Sequence, residues 1–253
     1  MIQQEWTYKP YSEKLALSIA NDFNVPLVIA KVMAIRGISN REISRNFFFS
    51  NQDKLHSPFL LKDIYKATSR LNKQILRNES ILVFGDYDVD GTAGTSLLFL
   101  FLKSIKTDVH YYIPDRELEG YGLSKKGIDY ANYIGASLII TCDCAINAYS
   151  EIDYAKNLNI DVIITDHHKP DSTLPNAYAI LNPNRTDCSY PFKGLCGAGV
   201  AFKFLLAYCN EYNIDSNLVW EHSDLVAIAT AADLVPVVDE NRIIVKDGID
   251  KIA

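Results

Sequence analysis

The sequence predicts an α/β fold, with a mostly parallel sheet that carries helices on both faces and follows a helical amino-terminal extension. Short apolar runs alternate with helix-like segments from Ile81 onward. This alternation is typical of parallel strands covered by helices. Residues before about 78 show helical periodicity and no obvious strand. We therefore predict an extension at 1–78 that packs on an α/β domain at 79–253.

The extension repeats apolar residues at helical spacing in LALSIANDF and VPLVIAKVMAIRGI. A third helical segment, LKDIYKATSRLNKQIL, leads into the first strand. The aromatic run at Phe47–Phe49 suits either base stacking or packing, and we favour packing against the main domain.

Five apolar runs are short enough to be buried strands. The predicted strands are Ile81–Gly85, Val109–Ile113, Leu138–Cys142, Val162–Thr165 and Tyr178–Leu181.

Three acids, Asp86, Asp88 and Asp90, follow the first predicted strand directly. Aspartate is common in turns because its side chain bonds nearby backbone. Three carboxylates this close repel one another, however, and a divalent cation relieves that repulsion. Hard ions such as Mg, Mn and Ca prefer oxygen ligands. A calcium loop of the EF-hand type is excluded because Leu97 stands where its glutamate is needed.

Further polar residues follow two other strands. Asp143 comes after LIITC, and Asp166, His167 and His168 come after VIIT. The carboxyl ends of parallel strands share one edge of the sheet, where ligands bind. Mixed carboxylate and imidazole ligands favour Mn, with Mg, Co or Zn as alternatives. Such a set suits two ions about 4 Å apart, as used for displacement at phosphorus.

The composition is that of a soluble globular protein, with 48% hydrophobic and 22% charged residues among 253. A net charge of -6 argues against a generally basic surface for nucleic acid and leaves a local basic groove open. No signal peptide or span-length apolar run is present. The absence of a span-length run predicts no membrane partner. Five cysteines lack the spacing of a zinc or disulfide framework, so we expect a reducing, cytoplasmic setting.

An ordered set of motifs resembles the DHH phosphoesterase superfamily, and within it the RecJ-type single-stranded-DNA exonucleases. The motifs are DYDVDG at 86–91, ITCDCAIN around Asp143, DHH at 166–168 and ATAAD at 229–233. Further likeness lies in RGIS at 36–39, SPFLLKDIYKA at 57–67, IPDRELEGYG at 113–122 and LCGAGVAFK at 195–203.

The resemblance implies roles for individual residues. The implied metal ligands are Asp88, Asp90, Asp143, His167 and Asp233, with Asp143 as the bridge between two Mn²⁺ or Mg²⁺ ions. His168 is expected to face the scissile phosphate, and Asp86 to support the site as an auxiliary ligand. Without the resemblance, Asp233 would pass for a surface acid in an alanine-rich helix.

Two positions depart from the pattern. Phe84 stands where some superfamily members have a histidine ligand, so one ion is expected to have fewer ligands. Ala145 stands where RecJ-like sequences usually have glycine. If that position needs a positive φ, alanine costs about 1 kcal/mol and displaces Asp143.

Three residues are candidates for substrate binding. Arg116 is either a phosphate clamp or the partner of an acidic residue. Gly197 and Gly199 would let the backbone approach a ligand or let a helix pack closely; the resemblance favours a loop that faces substrate.

The resemblance implies a metal-dependent exonuclease that degrades single-stranded DNA from 5′ to 3′ into mononucleotides, in DNA repair and recombination. Single-stranded-DNA-binding protein and a helicase are its implied partners. RecJ-like proteins also have DHH-associated and OB-fold domains, which this chain lacks. The alternatives are an oligoribonuclease or cyclic-dinucleotide phosphodiesterase of the same superfamily, and a catalytically silent replication or repair scaffold.

Overall fold

The computed structural model describes residue 7 and residues 9–38, 40–49 and 51–252. The chain divides into two compact units, Met1–Lys54 and Leu55–Ala253. The first unit contains helices α1 (Glu13–Phe23), α2 (Leu27–Ile35) and α3 (Arg41–Phe49).

The first unit has a small apolar core of its own, built on Ala16, Ile19, Ala30 and Met33. Phe47 and Phe48 are partly buried against this core. The Phe48 ring lies 5.3 Å from the ring of Phe23. The aromatic run therefore contributes to packing within its own unit.

The second unit is built on a parallel sheet with the strand order β2-β1-β3-β4-β5. The strands are β1 (Ile81–Gly85), β2 (Val109–Tyr112), β3 (Leu138–Cys142), β4 (Asp161–Thr165) and β5 (Ala179–Leu181). Each predicted strand is present, with bounds that differ by one residue at most. The predicted fold class is confirmed.

Helices connect and cover the strands. They are α4 (Ile64–Leu76), α5 (Val89–Ser104), α6 (Lys125–Tyr133), α7 (Tyr149–Asn157), α8 (Gly197–Tyr212), α9 (Asn217–Trp220), α10 (Ser223–Ala232) and α11 (Asp239–Ile252). Among the described residues, no helix is both long enough and apolar enough to cross a lipid bilayer.

Alternate residues of the strands point into two separate cores, one on each face of the sheet. Val83 and Ile140 join the core that contains residues of α4, α5 and α8. Phe84 and Ile139 join the core that contains residues of α6 and α7. Because both faces are covered, the strands are apolar throughout instead of alternating with polar residues.

The compact units divide at residue 54, whereas the sequence predicted a boundary at residue 78. The reason is α4, which buries Ile64, Ala67 and Leu71 in the main core of the second unit. Helical periodicity alone did not distinguish a helix of the extension from a helix of the α/β layer.

Strand β1 pairs with β2 on one side and with β3 on the other, so the chain order reverses there. In open parallel sheets this reversal opens a crevice at the carboxyl ends of the strands, where ligands bind. The segments that follow β1, β3 and β4 meet at this crevice.

Candidate metal centre

The three acids of the turn after β1 differ in burial and in hydrogen bonding. The Asp88 side chain begins α5, since its Oδ1 accepts a hydrogen bond from the backbone N of Gly91 at 2.9 Å. This is an N-cap, for which aspartate is well suited. Asp86 and Asp90 are both buried, whereas Asp88 is exposed.

Asp90 is held by the amino terminus of α8. The backbone N of Gly197 donates to Asp90 Oδ2 at 2.6 Å, and the backbone N of Ala198 donates to Oδ1 at 2.8 Å. These amides are unpaired at a helix start and attract negative charge. They place the carboxylate before any ion binds.

The two glycines of α8 that the sequence suggested for substrate binding are buried. An added Cβ at Gly197 would lie 2.7 Å from Cα of Asp143, so only glycine lets the helix approach this close. Gly199 donates its N–H to Cys196 Sγ at 3.4 Å. The structure therefore supports packing at both positions and gives no support to substrate contact.

Asp143 sits in a left-handed turn directly after β3. Its φ is 60°, and the φ of Ala145 is 82°. The position of Ala145 thus has the positive φ that glycine favours, as considered from the sequence. The backbone N of Asp143 donates to Thr165 O at 2.9 Å, and the backbone N of Ile146 donates to Asp166 Oδ2 at 3.0 Å. These bonds hold the strained turn in place.

His167 lies at the centre of the acids. Its Nε2 atom is 3.2 Å from Asp143 Oδ1, 3.6 Å from Asp233 Oδ2 and 3.8 Å from Asp90 Oδ2. Within the described part of the chain, neither His167 Nε2 nor Asp143 Oδ1 has a hydrogen-bond partner, although both atoms are buried. Buried polar atoms rarely stay unpaired, so the arrangement fits a bound cation.

Two groups of side chains have ligand atoms within 4.8 Å of one another. One group is Asp143, His167 and His168, and the other is Asp90, His167 and Asp233. Carboxylate oxygen and imidazole nitrogen are donors suited to Mn, Mg, Co or Zn. Of the predicted ligands, Asp88 belongs to neither group.

The raised pKa values of two buried acids also support a cation site. Burial raises the pKa of Asp143, and repulsion from Asp90 and Asp166 adds to the rise. Burial also raises the pKa of Asp90, although the amides of Ala198 and Gly197 oppose it. Each carboxylate therefore binds a positive charge readily, either a proton or a metal ion.

His168 is oriented by Asp166, a residue to which the sequence assigned no role. His168 Nδ1 lies 2.8 Å from Asp166 Oδ1, and this hydrogen bond raises the pKa of His168. The same oxygen accepts the backbone N–H groups of His167 and His168. Nearly half of the His168 side chain is exposed, so the ring can meet a substrate.

Asp233 caps the carboxyl end of α10 and is partly exposed. Two alanines precede it and Leu234 follows it, so no local pattern marks it as a site residue. Only the packing of α10 brings its carboxylate beside His167.

Two predicted site residues lie beside these groups. Asp86 Oδ1 accepts the backbone N–H of Gly122 at 3.3 Å, and the buried Oδ2 atom has no hydrogen-bond partner among the described residues. The guanidinium carbon of Arg116 lies 5.4 Å from the ring centroid of Tyr87. Arg116 thus meets an aromatic ring, and none of the ion pairs in the described part of the chain involves it.

Phe84 contributes nothing to the metal groups. It is fully buried and stacks on Tyr112 with 5.5 Å between ring centroids, on the α6 side of the sheet. Phe84 therefore supplies no ligand atom to this edge of the sheet.

A family model described as DHH family, N-terminal domain, matches residues 80–230. The chain belongs to the DHH family.

Similar DHH proteins include the single-stranded-DNA-specific exonuclease RecJ of Bacillus subtilis. It is 38% identical over 250 residues, which cover 99% of this chain and 31% of the Bacillus protein. The protein of the same name from Escherichia coli is 38% identical over 240 residues, covering 90% of this chain and 41% of its own. The chain therefore spans less than half the length of these relatives.

Solved DHH structures share the fold. An exonuclease RecJ bound to manganese matches with a TM-score of 0.70 at 34% identity, over 76% of this chain and 48% of that one. Thermus thermophilus RecJ in complex with Mn²⁺ matches with a TM-score of 0.75 at 28% identity, over 94% of this chain and 33% of that one.

Beside His168, this DHH domain has a cavity of about 620 Å³. Its size lies within the range of small-ligand pockets. The polar side chains around it include Tyr121, Ser124, Lys125, Asn147 and Lys169.

Proposed function

We propose that the chain is the catalytic part of a divalent-metal-dependent phosphodiesterase that degrades single-stranded DNA from 5′ to 3′ and releases mononucleotides. One observation carries the proposal. A buried, unpaired imidazole nitrogen of His167 faces carboxylates from three other segments of the chain, at 3.2 to 3.8 Å. The RecJ relatives supply the substrate class.

The residues that would hold the metal are Asp90, Asp143, His167 and Asp233. Mn²⁺ is favoured over Mg²⁺ because the donors include imidazole nitrogen. When bound, the ions supply charge stabilisation at the phosphate and a more acidic water. We propose two ions; the second would be held by Asp143 and by the Asp88 oxygen that does not cap α5.

Two side chains beside the metal groups, His168 and Arg116, would position the phosphates of the substrate. Asp166 accepts from His168 Nδ1, which leaves Nε2, 3.4 Å from the Tyr121 hydroxyl, as the ring nitrogen that can meet a substrate. From there, His168 can donate a hydrogen bond to a phosphate oxygen and stabilise its negative charge. Arg116, which pairs with no carboxylate among the residues that the structure describes, offers a planar fork of donors to a second phosphate.

The decisive experiment is Mn²⁺-dependent digestion of a 5′-labelled single-stranded oligonucleotide, with a labelled dinucleotide alongside. The proposal expects labelled mononucleotide from the long strand. Preferred cleavage of the dinucleotide would instead indicate an oligoribonuclease or cyclic-dinucleotide phosphodiesterase. Mn²⁺ binding without cleavage of either substrate would indicate a silent scaffold.

Asp143→Asn is the matched control, since asparagine tolerates the left-handed backbone at this position. We expect the variant to keep its fold and lose both Mn²⁺ binding and cleavage. Calorimetric titration with Mn²⁺ reads the binding separately from the chemistry.

The family likeness also leads us to propose a cytoplasmic role in DNA repair and recombination, with single-stranded-DNA-binding protein and a helicase as partners. Size-exclusion chromatography of the chain mixed with each purified partner tests this, and no co-elution with either would contradict it.

A further inference from the structure

One loop carries two side chains to the metal edge. It spans Asp115 to Ser124, between β2 and α6, and we refer to it as the Arg116 loop. The hydroxyl of Tyr121 in this loop donates to the backbone O of Asp143 at 3.2 Å and lies 3.4 Å from His168 Nε2. The loop therefore touches the residues that would meet a substrate phosphate.

The Arg116 loop turns at two glycines with left-handed backbone, Gly120 at φ 79° and Gly122 at φ 84°. An added Cβ at either glycine would meet no atom within 4 Å, although Gly122 itself is buried. Glycine is also the residue with the greatest backbone freedom. Leu123 anchors the end of the loop in the core on the α6 side, and hydrogen bonds fix the shape of the rest.

Within the loop, Asp115 Oδ1 accepts the backbone N–H groups of Glu117 and Leu118. Glu119 makes the bonds that connect the loop to its flanking elements, and its side chain is only 6% exposed. Its carboxylate accepts from the hydroxyl of Tyr112 at 2.9 Å, from Ser124 Oγ at 2.7 Å and from the backbone N of Asp115 at 3.1 Å. Lys126 Nζ lies 3.5 Å away. The partners stand at the end of β2, at the first residue of the loop and at the start of α6.

Ser124 has a second task, because its Oγ also accepts the backbone N–H of Gly127 and so caps α6. Glu119 thereby joins both ends of its own loop to the strand and to the helix. The hydrogen bond from Gly122 N to Asp86 is longer and engages only one backbone group.

We propose that Glu119 is a positioning residue that closes the Arg116 loop and thereby holds Arg116 and Tyr121 at the metal edge for a phosphate of the DNA strand. The proposal rests on the proposed function and adds a residue to it. Glu119 touches neither the metal groups nor the substrate. It acts through Arg116, whose guanidinium also rests on the Tyr87 ring.

The test compares Glu119→Ala, Glu119→Gln, Arg116→Ala and the double variant Glu119→Ala/Arg116→Ala. The matched control is Glu117→Ala, which removes the same charge from an exposed position in the same loop. Measurements are kcat and KM on a single-stranded oligonucleotide, Mn²⁺ affinity by calorimetry, and thermal unfolding. Oligonucleotide binding without turnover is read by fluorescence anisotropy in Ca²⁺.

We expect Glu119→Ala to raise KM and the oligonucleotide Kd about 10-fold, as for the loss of a charge-assisted contact. Mn²⁺ affinity and kcat should change less than about 3-fold in the same variant. Glu119→Gln should recover most of the loss, because its amide oxygen still accepts from Asp115 N. Glu117→Ala should behave as the unchanged protein.

The double variant separates positioning from general stability. If Glu119 acts through Arg116, the double variant binds no more than about 2-fold worse than Arg116→Ala alone. Fully additive losses, or a KM unchanged in Glu119→Ala, would overturn the inference. Should the unchanged chain neither bind nor digest the oligonucleotide, the proposed function itself fails, and this inference fails with it.

Discussion

Replacing Gly197 by alanine should disturb the metal centre, because a methyl group at this position has no room. The added Cβ would lie 2.5 Å from Asp143 Cβ and 2.7 Å from Asp143 Oδ1. Carbon atoms in ordinary contact are about 3.5 to 4.0 Å apart. The first turn of α8 and the Asp143 turn must therefore separate by roughly 1 Å.

The cost can be worked from the contacts. Overpacking of this kind costs about 1 to 3 kcal/mol. Alanine recovers at most about 1 kcal/mol through its higher helix propensity. We expect a net loss of up to about 2 kcal/mol in the free energy of unfolding. For a chain of this size, that lowers the melting temperature by up to about 8 °C.

The same movement should weaken metal binding, because it carries the Asp143 carboxylate away from His167. Disturbing the groups that orient metal ligands typically costs 10 to 100-fold in affinity. At an Mn²⁺ concentration of about 100 times the original Kd, the ion stabilises the fold by about 2.7 kcal/mol. A 10-fold loss of affinity would reduce this to about 1.4 kcal/mol.

The assay is urea unfolding with and without Mn²⁺, with Gly199→Ala as the matched control two residues along the same helix. An added Cβ at Gly199 would meet Leu195 Cδ2 at 3.3 Å and Cys196 Sγ at 3.6 Å, which are movable side-chain atoms. We expect Gly199→Ala to change stability by less than about 1 kcal/mol. If Gly197→Ala keeps the full stabilisation by Mn²⁺, the close approach does not position Asp143 and the reasoning is refuted.

Three further outcomes are expected. Ala145→Gly relieves about 1 to 2 kcal/mol of backbone strain in the left-handed region. It also loses about 0.8 kcal/mol from the buried methyl group and about 0.5 to 1 kcal/mol through chain entropy. The free energy of unfolding in urea should therefore change by under about 1 kcal/mol, and a loss above about 2 kcal/mol would contradict this. Lys203→Met leaves the fully buried Glu240 without its ion-pair partner and should lower the free energy of unfolding by about 3 to 5 kcal/mol. The double variant Lys203→Met/Glu240→Leu should recover most of this loss. Equal unfolding midpoints for both variants would argue against a buried ion pair. Burial raises the pKa of Glu119, but hydrogen bonds led by that from Ser124 outweigh it and hold the pKa below its ordinary value of 4.5. Its stabilisation is thus present above about pH 4.5 and lost as the pH falls through the folded pKa, so the urea midpoints of the unchanged chain and Glu119→Gln should converge in acid, and a constant gap would count against this.

The strands were predictable because each is a short apolar run that ends at a polar turn. The convergence of Asp90, Asp143 and His167 followed from one rule, that parallel strands share a carboxyl edge. The order of the strands did not follow, because the alternation of strands and helices is the same for several neighbour relations. The place of α4 did not follow either, since an amphipathic helix does not indicate which core it covers.

Within the candidate site, the sequence could not predict which carboxylate oxygens make hydrogen bonds and which remain available to a metal ion. The sequence predicts Asp88 as a metal ligand, yet one of its carboxylate oxygens caps α5. Aspartate serves both as a cap and as a metal ligand, so residue type does not separate the two uses. Asp166 was overlooked as a positioning group for a related reason, because its partners include backbone amides that no sequence pattern displays.

His167 and the three carboxylates around its Nε2 atom also bear on the order of folding. They come from the start of α5, the ends of β3 and β4, and the end of α10, which are far apart in the sequence. Contacts of high sequence separation form late, because long loops must close first. A partly folded chain therefore binds a divalent ion only weakly, in contrast to a short local motif, which can bind its ion before the rest of the chain folds. During synthesis, metal uptake should mark the completion of this unit and cannot act as its nucleus.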